Sequence, residues 1–144
     1  MRGSPFLQNT PYYVIAETSG NHNQDLRRAH ALVDAAAMAG AHAVKFQTFT
    51  AEEIAADNVP LLRGYNVAHD DWADQLGVRT LRGLFCLGGL PRSWHKELQQ
   101  HARDAGLQFL STPFSVDAAR FLVEEIGVPF LKIASGDLTF FPLL

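Results

Sequence analysis

The run Ala39-Gly40-Ala41-His42-Ala43-Val44-Lys45-Phe46-Gln47-Thr48 holds most of one structural unit. A segment with helical spacing stops at a glycine, an apolar strand follows almost at once, and the strand carries polar side chains toward its end. Glycine suits the stop because the residue after a helix often turns left-handed, a conformation that a side chain penalises. A helix that runs straight into an apolar strand is the rhythm of βα units building a parallel sheet.

The same hinge recurs at Ala105-Gly106-Leu107 and at Ile126-Gly127-Val128. Apolar spacing of three and four predicts the helices before the hinges, through Leu26, Ala29, Val33 and Ala36, then Trp94, Leu98, Ala102 and Ala105, then Ala119, Leu122, Val123 and Ile126. The predicted strands are Tyr13 to Ala16, Ala43 to Phe46, Gln108 to Leu110 and Phe130 to Ala134, apolar without alternation, as strands covered on both faces should be. Phe109, Phe121, Phe130 and Trp94 read as core. Between the second strand and the second helix lies a segment of about Ala51 to Arg92, rich in Gly and Pro, long enough to be a functional cap and with room for short helices.

A parallel sheet of this kind is either open and doubly wound or closed into a barrel. No G-x-G-x-x-G or G-x-x-x-x-G-K-[ST] follows the first strand, which removes the best evidence for a nucleotide-binding open sheet. The expected fold is therefore an α/β TIM (βα)8 barrel, N-terminal half only, with about four βα units. The sequence reaches Pro142-Leu143-Leu144 just where the next helix is due.

Each predicted strand leads into polar groups: Glu17 after the first, Lys45, Gln47 and Thr48 on the second, Ser111 and Thr112 after the third, and Lys132 and Ser135 around the fourth. Ligands of barrels and open sheets bind at these carboxyl ends. Lys45 and Lys132 sit inside apolar stretches, where an unpaired ammonium is costly to bury. Either each is tied to a carboxylate, or both face an anionic ligand with help from the Thr112 and Ser135 hydroxyls. Glu17 is then a general acid or base, or else a counter-charge for a lysine. Asn23 or Asp25 can cap the first helix. His22 lacks a second ligand at metal-binding spacing, and His95 and His101 read as surface or groove-facing positions on a helix.

Composition narrows the function classes. At 47% hydrophobic and 19% charged the chain is an ordinary globular one, and a net charge of -3 gives no reason to expect nucleic acid or an anionic membrane as partner. Cys86 is alone, so no internal disulfide calls for an oxidising compartment, and its thiol reads as a small apolar side chain. Neither a signal peptide nor an apolar run of about 20 residues is present, so the expected location is cytoplasmic.

The stretches Val14-Ile15-Ala16-Glu17, Asn21-His22-Asn23, Ala43-Val44-Lys45-Phe46-Gln47-Thr48, Leu110-Ser111-Thr112-Pro113-Phe114 and Lys132-Ile133-Ala134-Ser135-Gly136, in this order, resemble the N-acetylneuraminate (sialic acid) synthase family. The resemblance implies condensation of phosphoenolpyruvate with N-acetylmannosamine and water to give N-acetylneuraminate and phosphate. It implies that Glu17, Lys45 and Lys132 are catalytic and that Gln47, Thr112, Ser135, Asn21 and Asp137 bind substrate. It also implies a divalent metal, Mn2+ or Mg2+, held by two histidines beyond the matching region, an antifreeze-like C-terminal domain absent from these residues, and a homodimer. This chain would then be incomplete and inactive by itself. Asp137 stands where the family usually has Glu, and Leu81 to Leu98 is similar to the pseudaminic acid synthase branch. A pseudaminic or legionaminic acid synthase, using another N-acetylated sugar, is the near alternative. A non-catalytic anion-binding module is the other.

Overall fold

A computed structural model of the protein describes residues 12–61, 71 and 73–144. Its centre is a three-stranded parallel sheet in the order β1 (Ile15–Glu17), β2 (Ala43–Thr48), β3 (Gln108–Pro113). In register, Glu17 lies beside Lys45, and Gln47 beside Thr112. Side chains alternate along each strand, so Glu17, Lys45, Gln47 and Thr112 share one face of the sheet, while Val44, Phe46, Thr48, Phe109 and Ser111 share the other.

The second face is the one the helices cover. Helix α1 (Leu26–Met38) starts at Asp25, whose carboxylate accepts from the Arg27 and Arg28 N–H groups at 2.9 and 3.4 Å. It buries Ala29, Val33 and Ala36, as its spacing predicts. These pack with Val44, Phe46, Leu98, Ala102, Phe109 and Leu122 in one hydrophobic core. The Phe46 and Phe109 rings stack across β2 and β3 at 5.7 Å.

The segment between β2 and the next core helix carries its own short helices, α2 (Ala51–Ile54) and α3 (Leu81–Gly88). Thr80 caps α3 by accepting from the Gly83 N–H, and Pro60 bridges antiparallel to Thr80. The excursion returns through Gly88 and Gly89, where backbones nearly touch. A methyl group on Gly89 would lie 2.7 Å from the Phe49 carbonyl oxygen, so only glycine lets this chain pass. A 3-10 turn (Arg92–Trp94) then leads into α4 (His95–Asp104).

After β3 comes α5 (Val116–Arg120), which widens into a π-helical turn over Phe121–Ile126. The wider turn buries Phe121, Leu122 and Ile126 but leaves Val123 52% exposed, so Val123 is not part of the predicted buried stripe. Gly40, Gly106 and Gly127 all have φ between 70° and 78°, the left-handed turn expected at the hinges.

The predicted fourth strand does not form: Phe130 to Ala134 is irregular backbone. Val128 is buried and Leu131 packs on the core, which accounts for the apolar pattern. Pro129, however, removes an N–H and restricts Val128, and exposed Lys132 shows that the segment is not covered on both sides. Phe130 is half-buried. Short 3-10 turns follow at Ser135–Asp137 and Phe141–Leu143.

Candidate functional site

Three strand ends build the site. The Lys45 side chain is 7% exposed, so its ammonium needs partners inside the protein. It has two: an ion pair with the Glu17 carboxylate and a hydrogen bond donated to Thr112 Oγ1 at 3.0 Å. The backbone of β2 is held in turn by Thr18, whose N–H and hydroxyl both donate to the Lys45 carbonyl at 2.9 and 2.7 Å.

Glu17 is bound more loosely, with its side chain 43% exposed. Its Oε1 accepts from both the Ser19 N–H and the Ser19 hydroxyl at 3.0 Å, and Ser19 Oγ accepts from the Gln47 amide at 3.3 Å. Ser19 holds φ at 45°, a left-handed conformation that turns the chain back over Glu17. The polar chain therefore runs Thr112, Lys45, Glu17, Ser19, Gln47. Ser19 and Thr18 are site residues that the sequence reading passed over. Their signal was adjacency to Glu17 in a loop of turn-forming residues.

A cleft of about 440 Å³ opens beside this chain, lined by Gln47 and Asp137 among Phe49, Phe85, Phe114 and Phe140. One Asp137 oxygen, Oδ2, is buried there without a hydrogen-bond partner. Aromatic walls with a few polar groups are the usual makings of a small-molecule site. The cleft is braced by Glu53, which accepts from the Thr50 N–H and from Ser115 Oγ, each at 2.7 Å, and lies 3.7 Å from the Arg92 guanidinium.

The predicted residues thus divide. Glu17, Lys45 and Thr112 are in direct contact, Gln47 joins them through Ser19, and Asp137 shares the cleft with Gln47. Lys132 and Ser135 are exposed and lie outside any strand, so the expected convergence of four strands is a convergence of three. Asn21 is exposed as well, its N–H donating to the Thr18 carbonyl in a tight turn.

The histidines divide between the core and the surface. His22 is wholly buried against Phe46 and Trp94, and burial pushes its pKa below the ordinary 6.5. Its Nδ1 accepts from the Gln24 N–H at 3.2 Å. His95 is not a surface residue but fully buried, because α4 turns it onto the Phe109 and Phe121 rings. His101 does lie at the surface, 2.7 Å from Asp34. Cys86 is exposed, not a packed apolar group. Among the described residues, no three His, Cys, Asp or Glu side chains come together to hold a metal. No described helix is long and apolar enough to cross a membrane.

Comparison with known proteins joins this geometry to a family. The chain is 37% identical to the N,N'-diacetyllegionaminic acid synthase of Campylobacter jejuni over 134 residues, which cover 91% of this chain and 37% of that protein. It is 34% identical to the pseudaminic acid synthase of Helicobacter pylori, covering 89% of this chain and 36% of that one. The crystal structure of the N-acetylneuraminic acid synthetase of Leptospira borgpetersenii, in complex with citrate, superposes with a TM-score of 0.71 at 31% identity, over 94% of this chain and 40% of that chain. The chain spans about a third of the length of these curated relatives, and its parallel βα units form part of the α/β barrel expected from the sequence. Residues 32–144, which include the strands bearing Lys45 and Thr112, match the model of the NeuB family, and the chain belongs to that family.

Proposed function

We propose that the complete protein condenses phosphoenolpyruvate with an N-acetylated hexosamine to give a nonulosonic acid and phosphate. The observation that carries this reading is the buried Lys45 ammonium, held between a fixed hydroxyl and a half-exposed carboxylate. Lys45 cannot leave its position without being stranded, whereas Glu17 can swing toward solvent. An incoming phosphate or carboxylate takes the place of Glu17 on Lys45 and accepts from it, with the Thr112 hydroxyl beside it.

Glu17, released, stands next to the reacting carbonyl. In the condensation, C3 of phosphoenolpyruvate bonds to the aldehyde carbon of the open-chain sugar, and the aldehyde oxygen takes a proton to become a hydroxyl. Water adds at C2 and gives up a proton, and the bond between C2 and the phosphate ester oxygen breaks, so that phosphate leaves with that oxygen and C2 becomes a ketone. Glu17 would hold the proton at the aldehyde oxygen, and Lys45 would offset charge developing on the departing phosphate. Lys132 and Ser135 would close on the phosphate from the irregular segment, while Asn21, Gln47 and Asp137 would contact the sugar.

Relatives that make legionaminic and pseudaminic acids lie at similar identity, so the reading extends to N-acetylated hexosamines as a class, with N-acetylmannosamine as the first to try. The Leptospira synthetase is in complex with citrate, a carboxylate anion, which is in keeping with an anion-accepting site. The test is phosphate release by the complete gene product, given phosphoenolpyruvate with N-acetylmannosamine or with its dideoxy diacetamido counterpart. Release with one of them is expected. Release with neither overturns the reading.

A further inference from the structure

Beneath the site, on the helix-covered face of the same strand ends, lie three buried polar side chains that the proposed chemistry does not use. Thr48 Oγ1 is 2.7 Å from His95 Nε2 and 2.7 Å from Ser111 Oγ, and His95 Nδ1 is 3.1 Å from the Pro91 carbonyl oxygen. Thr48, His95 and Ser111 are each no more than 1% exposed. The row joins three separate segments: the return of the long excursion at Pro91, the end of β2 at Thr48, and β3 at Ser111.

Its direction follows from chemistry. A carbonyl oxygen only accepts, so the Pro91 bond puts the ring proton on Nδ1. In a neutral imidazole Nε2 must then accept, and the Thr48 hydroxyl must donate to it. Having given its one proton, Thr48 Oγ1 accepts from the Ser111 hydroxyl. Burial holds His95 neutral, lowering its pKa to about 4, and the nearby Arg92 charge acts in the same sense.

We infer that His95, Thr48 and Ser111 form a one-way hydrogen-bond chain that positions Gln47 and Thr112, their strand neighbours on the opposite face, for ligand binding. The inference rests on the proposed reading of that face as the phosphoenolpyruvate site. Gln47 follows Phe46 and precedes Thr48, and Thr112 follows Ser111, so a shift of the anchored backbone carries the site residue with it. Misplacement of about 1 Å is enough to cost a bound reactant about a hundredfold. His95, Thr48 and Ser111 are positioning residues that act through their neighbours.

The test compares the complete protein with its Thr48→Val and Thr48→Ser variants. Valine keeps the shape and suits a strand but cannot donate, whereas serine keeps the hydroxyl. Nitrogen NMR of the His95 ring reads the tautomer, calorimetry reads affinity for phosphoenolpyruvate, and thermal melting confirms that each variant is folded at the temperature used. The expected result is a wild-type Nδ1–H tautomer, an Nε2 shift altered by valine and kept by serine, and phosphoenolpyruvate binding weakened about tenfold by valine and restored by serine. An Nε2–H tautomer overturns the chain. So does a folded valine variant that binds as tightly as wild type. If the wild type binds no phosphoenolpyruvate, the anion-site reading fails, and the tautomer alone then decides for or against the chain.

Discussion

Two polar clusters sit back to back across the ends of β2 and β3, and they solve opposite problems. On one face Lys45 keeps a charge in a buried place, with a partner, Glu17, that is half in solvent. On the other face Thr48, His95 and Ser111 are sealed, uncharged, and matched donor to acceptor. A buried charge with a removable partner is prepared for exchange with a ligand, while a satisfied neutral network holds backbone in place. Alternation in the strands separates the two functions by a single residue, with Gln47 on one side and Thr48 on the other.

The comparison is broken most forcefully with acid. The unfolded His95 titrates near 6.5 and the folded one near 4, so the unfolded state binds more protons between those values. Stability must therefore rise with pH across the window from 4 to 6.5, by about 3 kcal/mol in all for this one group. His22, also lowered by burial, adds to the slope in the same direction. Urea unfolding at pH 4.5 and pH 7 measures it. Replacing His95 with Phe, which fits among Phe109 and Phe121, should flatten the curve, and an unchanged slope would mean that the sealed cluster does not hold a neutral imidazole.

On the open face, Lys45→Met should weaken phosphoenolpyruvate binding about a hundredfold, the loss expected for about 3 kcal/mol of charge-assisted hydrogen bonding. Stability should change far less, because the carboxylate left behind on Glu17 already reaches water. Titration calorimetry and a thermal melt on the same variant check both halves. Binding that survives would take the anion away from Lys45.

Much of this division was legible in the sequence, and the parts that were not have physical causes. The glycine stops at 40, 106 and 127 could be read because a left-handed residue has few alternatives to glycine. Glu17, Lys45 and Thr112 could be read because charge inside an apolar strand demands a partner. His95 could not, since helical spacing predicts which side of a helix a residue takes only when the apolar stripe is wide, and α4 buries a histidine within its stripe. The fourth strand was misread because a short apolar run looks the same whether it pairs in a sheet or lies irregularly over a core. Its Pro129 was the available warning.

The finest test separates the two members of the open cluster. Glu17→Gln leaves the Lys45 ammonium in place but removes the carboxylate that competes with an incoming anion for it. A half-exposed ion pair is worth up to about 1 kcal/mol, so phosphoenolpyruvate should bind this variant up to about fivefold more tightly than wild type. Turnover by the complete protein should fall at the same time, because the group that holds the proton at the aldehyde oxygen is gone. Affinity and rate moving in opposite directions would distinguish a displaced counter-ion that becomes a reactant from a purely structural salt bridge, whose loss would lower both together.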